Sequence, residues 1–127
     1  MAGKKYFLKK IKIDSVVSVA TVSKSGVPNI IAAEICKINA DGSLVLTDNH
    51  MNQTVKNIKE NKNIALLYHY KDLWWKLIGT TEYFTSGKWL DIVRKLPTNK
   101  GYQPKGVLII RVKKIDDLET GKTIARF

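Results

Sequence analysis

The chain of 127 residues carries 22 lysines and arginines against 11 aspartates and glutamates, a formal net charge of +11, and 44% of its side chains are hydrophobic. That is the size of one domain, residues 1–127, and it is too apolar for a disordered chain. The most apolar stretches, residues 16–22 and 107–110, fall far short of the roughly 20 residues that cross a bilayer, so a membrane span is excluded. The basic start is not followed by an apolar leader core and cleavage site, which points to a cytoplasmic protein.

Residues 1–14 form a basic N-terminal segment in which Lys4, Lys5, Lys9, Lys10 and Lys12 are interleaved with Tyr6, Phe7, Leu8 and Ile11. A β-branched run over 16–23, the turn Lys24-Ser25-Gly26 and an extended apolar run over 27–38 predict a hairpin. Asn39-Ala40-Asp41-Gly42 supplies a second turn, with Asp-Gly favouring positive φ, before a short strand over 44–47. The period then changes. Val55 and Ile58 lie three apart, Lys56, Lys59 and Glu60 face away, and Asn52 is a good N-cap, so a short helix is predicted between Asn52 and Asn61.

Residues 64–70 are again strand-like, Lys71-Asp72 makes a turn, and 74–84 is a long alternating strand that sends Trp74 and Trp75 to opposite faces. Ser86 caps a second helix over 88–96, whose Trp89, Ile92, Val93 and Leu96 make one apolar face, and Pro97 stops it. A polar loop, 98–104, precedes a strand over 106–115. Leu108, Ile110 and Val112 lie on one of its faces and Val107, Ile109 and Ile115 on the other. A strand apolar on both sides suits a barrel whose outer face meets a second chain. The C-terminal segment 116–127 is too apolar for a free tail and is expected at a dimer interface, while Asp116 and Asp117 are expected in a solvated turn. Six to seven short antiparallel strands with two short helices predict a mainly β protein folded as a split or closed barrel, because an open sheet of that many strands leaves long unpaired edges.

The lone Cys36 forms no internal disulfide, and with only His50 and His69 beside it no zinc-ligand spacing occurs. Cys36 sits in an apolar run, where a buried inert thiol is expected. The charge asks for an anionic partner. With only Arg94, Arg111 and Arg126 as arginines and the lysines dispersed, nucleic acid is the weaker candidate. The predicted helix at Asn52 opens directly after a strand, through Asp48-Asn49-His50-Met51. Its free backbone N–H groups, with Asn52, Gln53, Thr54 and Lys56 around them, suit a phosphate.

The succession Ala20-Thr21-Val22 with Gly26-Val27-Pro28-Asn29, then Leu46-Thr47-Asp48-Asn49-His50-Met51-Asn52-Gln53-Thr54 leading into Asn57-Ile58 and Asn61, resembles the pyridoxamine 5′-phosphate oxidase-like split β-barrel flavoproteins. Gly79-Thr80-Thr81-Glu82-Tyr83 and Pro104-Lys105-Gly106-Val107 continue the resemblance, which covers residues 15–115 and is closest to the small single-domain FMN-binding members. It implies a homodimer with FMN at the subunit interface, acting as a small flavin-dependent oxidoreductase or electron carrier. Asn52, Gln53 and Thr54 would contact the phosphate, and Asp48 and Asn49 the ribityl chain. His50 and Met51 would lie in the binding loop, and Asn29, Ile30, Ile31 and Ala32 would edge the isoalloxazine. Such a site needs no catalytic side chain and no metal, because the ring is the redox centre.

One departure stands out: relatives carry Lys or Arg where this chain has Gln53, and loss of a charge-assisted contact costs about 1.5–3 kcal/mol. Lys56 or a basic residue of the second chain could offset it. The long arginine-rich segments of true pyridoxamine phosphate oxidases are also missing, so that reaction is not expected. Two alternatives follow: a family member that has lost flavin and binds another phosphorylated or heterocyclic ligand, and a basic barrel binding nucleic acid through the N-terminal segment with Tyr6, Phe7, Trp74 or Trp75 as stacking surfaces.

Overall fold

The computed structural model describes residues 3–99 and 101–127. Met1 and Ala2 of the basic segment and Lys100 of the polar loop lie outside the described residues. The expected mainly β split barrel is present as one antiparallel eight-stranded sheet with three short helices. The strands are β1 (Val16–Val22), β2 (Pro28–Glu34), β3 (Lys37–Ile38), β4 (Leu44–Asp48), β5 (Asn63–Tyr70), β6 (Leu73–Phe84), β7 (Gly106–Asp117) and β8 (Lys122–Arg126). The helices are α1 (Lys4–Leu8), α2 (Asn52–Glu60) and α3 (Lys88–Lys95). The sheet runs β2-β1-β5-β6-β7-β4-β3, and β8 adds to β7.

The apolar run expected as one strand over 27–38 is split into β2 and β3. Ile35 still donates its amide to Ser15 O at 3.0 Å, while Cys36 donates to Val45 O at 2.9 Å. The chain leaves β1 at this corner and joins β4, and both corner side chains are buried. The segment after Ile115 is not a solvated turn. Asp116 is a buried residue of β7, accepting a hydrogen bond from the Thr123 hydroxyl at 2.7 Å and lying 3.4 Å from the ammonium groups of Lys76 and Lys114. The C-terminal segment contains β8, whose Ala125 is buried, and Phe127 meets Phe7 edge-on at 6.2 Å.

A bulge changes the faces of β7. Gly79 pairs with Val112 but Ile78 with Lys114, so Lys113 is extra, and Ile115 rejoins Leu108, Ile110 and Val112 in the main core instead of facing the other way. Gly79 is required there, because an added Cβ would collide with the Arg111 carbonyl oxygen. The opposite face, Val107 and Ile109, is covered by α3 of the same chain through Leu90 and Val93, with Cys36 and Val45 beside them. The surface expected to meet a second chain is thus already filled.

The N-terminal segment folds as well. α1 buries Phe7 and Leu8, and Ile11 follows them into the core. The basic arm is therefore a plug whose apolar residues face inward and whose Lys5, Tyr6, Lys9 and Lys10 face out. Phe7 and Trp75 are buried and offer no stacking surface, and exposed Trp74 lies against the His69 ring at 3.4 Å between centroids. No described helix is long and apolar enough to cross a membrane.

Candidate functional site

β4 ends at Asp48, whose buried carboxylate shapes the turn that follows. Its Oδ1 accepts the Met51 amide at 2.8 Å and its Oδ2 accepts the Tyr83 hydroxyl at 2.5 Å. Burial and the Asp48 carboxylate push the Tyr83 phenol well above its ordinary pKa. Gly106, paired with Asp48 across the β4–β7 ladder, has no Cβ to obstruct the Tyr83 hydroxyl. Met51 takes the N-cap position of α2 with no side-chain cap, so Asn52, expected as the cap, is the first helical residue. Asp48 holds the N-cap amide of Met51 and leaves the first amides of α2 without a side-chain cap.

The first amide to enter the α2 ladder is that of Val55, which donates to Met51 O at 2.8 Å. The amides of 52–54 therefore open toward the turn. No acidic side chain occupies the first turn of α2, and Lys105 donates from Nζ to Asn52 Oδ1 at 3.1 Å. Lys105 is placed there because its own amide donates to Asp48 O at 3.0 Å as β7 begins. Positive backbone dipoles and one ammonium thus meet at the helix start, a donor set suited to a phosphate. The charge absent from Gln53 is present on Lys105, whose place beside the helix start no local sequence pattern reveals.

A polar network ties α2 to the β1–β2 hairpin. Asn29 Nδ2 donates to Thr54 Oγ1 at 3.0 Å, Asn57 Nδ2 donates to Thr21 Oγ1 at 3.0 Å, and Gln53 Nε2 donates to Asn57 Oδ1 at 2.9 Å. Thr54 is wholly buried. Asn29 and Thr54, predicted to touch opposite parts of one cofactor, thus touch each other.

Beside the turn lies an open cleft of about 660 Å³, within the size range of small-molecule sites. It brings together five of the predicted residues: Ile31 and Ala32 from β2, and Asn49, His50 and Met51 from the β4–α2 turn. Asp48, at the end of β4, and Asn52, Gln53 and Thr54, the first residues of α2, flank this turn in sequence without lining the cleft, and Ile30 projects into solvent at 69% exposure. The far wall is the loop after α3, where Thr98, Asn99 and Tyr102 line the cleft. Sequence reasoning passed over these three because a polar loop carries no periodic signal. Cys36 also borders the cleft, but burial pushes its thiol up to about 11 and its Sγ donates to Val45 O at 3.2 Å, so it is no nucleophile. Among the described residues no cluster of His, Cys, Asp and Glu is placed to hold a metal ion.

Residues 6–119 match the family model described as Pyridoxamine 5′-phosphate oxidase. The chain is 37% identical over 113 residues to an uncharacterized protein of Methanocaldococcus jannaschii, MJ0282, covering 85% of this chain and 76% of that protein. Among solved structures, HupZ of Group A Streptococcus superposes with a TM-score of 0.79 at 26% identity, covering 98% of this chain and all of the other. An FMN-binding protein of Nostoc punctiforme related to pyridoxamine 5′-phosphate oxidase superposes at 0.67 with 10% identity, over 91% of this chain and 81% of its own. HutZ, the heme storage protein of Vibrio cholerae, superposes at 0.67 with 12% identity, over 89% and 90%. The last two likenesses concern the fold alone.

Proposed function

The chain belongs to the pyridoxamine 5′-phosphate oxidase family, and from that premise we propose that it is an FMN-binding flavoprotein, a small flavin-dependent oxidoreductase or electron carrier working in the cytoplasm. The observation that carries the reading is the joining of two features. An anion-suited helix start, with Lys105 beside it, lies next to a cleft walled by Ile31, Ala32 and Met51. In this arrangement the amides of 52–54 and the Lys105 ammonium hold the phosphate. Asn49 and His50 flank the chain between phosphate and ring, and the apolar side chains of β2 exclude water from one side of the ring. Bound FMN would supply the electron-accepting ring, and no side chain then needs to act as nucleophile or general base.

The same reading takes the protein as a homodimer with the cofactor at the subunit interface. The outer face of the edge hairpin supports it. Ala20 opposes Ile30 and Ser18 opposes Ala32, with Val16 and Ile30 exposed at 59% and 69%, so an apolar surface stands open beside the cleft. A second copy seated there would deepen the cleft and cover the ring's open side.

The test is the visible absorption spectrum of the freshly purified protein, followed by FMN titration through quenching of flavin fluorescence at low and moderate salt. Saturable binding near one FMN per chain, little affected by salt, is the expected result. A colourless protein indifferent to FMN refutes the reading and leaves another phosphorylated or heterocyclic ligand. Binding of nucleic acid that falls steeply with salt would favour the basic-barrel alternative. A second reading rests on His50, an exposed imidazole lining the cleft and of the residue type that ligates heme iron. A Soret band with added heme that is lost in His50→Ala would favour it.

A further inference from the structure

One end of the barrel is closed by α1, and the outer surface of that plug is basic. α1 packs so closely on Gly42 of the β3–β4 turn that an added Cβ there would collide with Leu8. Phe7 meets Trp75 of β6 and Phe127 after β8 edge-on, at 6.1 and 6.2 Å between centroids. The segment that follows α1 is held to the end of β5, because the Tyr68 hydroxyl accepts the Lys12 amide at 2.9 Å and donates to Lys10 O at 3.3 Å. β6 starts at this end with Leu73, and near its other end Tyr83 reaches the Asp48 turn. The length of β6 therefore separates the plug from the helix start.

Residues 3–14 and 70–73 carry six lysines against two aspartates, a surplus of four positive charges. Lys5, Lys9, Lys10, Lys12 and Lys71 are exposed. Three of these ammonium groups lie over tyrosine rings: Lys10 is 4.7 Å from the Tyr6 centroid, while Lys12 and Lys71 converge on Tyr70 at 5.1 and 5.4 Å. The rings gather the charges at one place without neutralising them. Asp41, the acid nearest the plug on the β3–β4 turn, is paired with Arg111 at 2.9 Å and so does little to offset the lysines. Tyr6, Ile13 and Phe127 are exposed, so apolar side chains are interspersed among the charges.

We propose that this plugged end docks on the surface of an anionic lipid bilayer, with the lysines at the headgroups and Tyr6, Ile13 and Phe127 at the boundary with the acyl chains. Two features favour a lipid surface over nucleic acid. The exposed cations of the plug are all lysines, point charges suited to a dispersed field of headgroups, and none of them offers the guanidinium fork that reads phosphates and bases. A base would also need the faces of Tyr6 and Tyr70, over which the ammonium groups already lie. Tyrosine suits the boundary between headgroups and hydrocarbon, having an apolar body and a polar tip. No described helix is long and apolar enough to cross a membrane, so the chain lies on the bilayer instead of spanning it. The inference goes beyond the cofactor reading and stands whether or not FMN binds.

The test is co-sedimentation of the full chain with vesicles of phosphatidylcholine alone or of equal parts phosphatidylcholine and phosphatidylglycerol. At about 0.1 M salt, charges more than about 10 Å from the bilayer are screened. Binding to the mixed vesicles and none to phosphatidylcholine alone is expected. A lysine at an anionic surface contributes about fivefold to partitioning, so Lys9→Glu/Lys10→Glu/Lys12→Glu should lower it about a hundredfold or more. A control triple, Lys59→Glu/Lys62→Glu/Lys95→Glu, changes net charge equally but away from the plug, and should lower it less than about tenfold. Lys5→Glu/Lys9→Glu/Lys71→Glu, which leaves the residues tethered to Tyr68 untouched, decides the matter if the first triple lowers Tm. No binding to the mixed vesicles, an equal loss in plug and control triples, or binding that survives the plug triples overturns the proposal. An oligothymidylate that displaces the chain from the vesicles, and whose own binding is lost in the same triples, assigns the surface to nucleic acid and also overturns it.

Discussion

Replacing Tyr83 by Phe removes one hydroxyl and keeps the ring over Gly106. The hydroxyl donates at 2.5 Å to Asp48 Oδ2, and Asp48 is 1% exposed. After the change that carboxylate oxygen is left buried with one donor fewer, and a hydrogen bond to a charged group contributes about 1.5–3 kcal/mol. For a domain of this size each kcal/mol moves Tm by about 3–5 °C, so Tyr83→Phe should lower Tm by about 5–15 °C at pH 7. Urea unfolding should show the same loss in midpoint with m unchanged. The cycle with Asp48→Asn separates the hydrogen bond from general loosening. In the Asp48→Asn background the partner is neutral, and the same Tyr83→Phe change should cost about 1 kcal/mol less. A Tm within about 2 °C of the parent, or an equal cost in both backgrounds, would show that Asp48 and Tyr83 are not coupled.

The pH dependence of that pair follows from its sign. A phenol whose folded pKa lies above its unfolded value of about 10 contributes stability that is intact below that pH and lost as pH rises through the folded value. The gap between parent and Tyr83→Phe should therefore be constant from about pH 6 to pH 9 and narrow above about pH 10 in urea unfolding. Asp41 runs the other way: the Ser43 hydroxyl first, then the Ser43 amide and Arg111, hold its carboxyl well below the usual range. Its contribution is present above about pH 4 and lost as pH falls further, so the parent's advantage over Asp41→Asn should shrink on acidification, while a gap flat down to about pH 2 would contradict it. Gly79→Ala sets a Cβ against the Arg111 carbonyl and should cost about 3 kcal/mol or more, read as a Tm drop or insoluble protein. Lys105→Gln should weaken FMN about tenfold or more in the quenching titration and leave Tm nearly unchanged, because its ammonium is exposed. Cys36 should stay unlabelled by a thiol reagent at about pH 8 until urea unfolds the chain.

Strands and helices were legible where a residue's surroundings are set by its neighbours in sequence. The alternation of Trp74 and Trp75 and the period of Val55 and Ile58 read directly as faces, and Trp75 and Ile58 are buried as that reading requires. What failed depended on partners distant in the chain. Parity along β7 puts Ile115 on the outer face, and one extra residue, Lys113, returns it to the core. The outer face of β7 read as an interface because nothing in the strand reveals that α3 folds back over Val107 and Ile109. β8 lay beyond residues that read as a turn, and its evidence is the ladder with β7, a contact between strands.

The site divides along the same line, and the division explains why its two walls differ in visibility. The helix start needs only consecutive residues: a strand, a short turn and the first amides of α2. A sequence motif can carry all of that. The opposing charge on Lys105 arrives because the β4–β7 ladder sets Gly106 beside Asp48, a register that no local pattern encodes. Asn99 is further still from any motif, since it reaches the cleft only because the loop after α3 folds back toward the β4–α2 turn. A family pattern therefore identifies the wall that is made of consecutive residues. The wall that faces it is built from loop residues such as Asn99 and Tyr102, which can change without touching the ladder that positions the first.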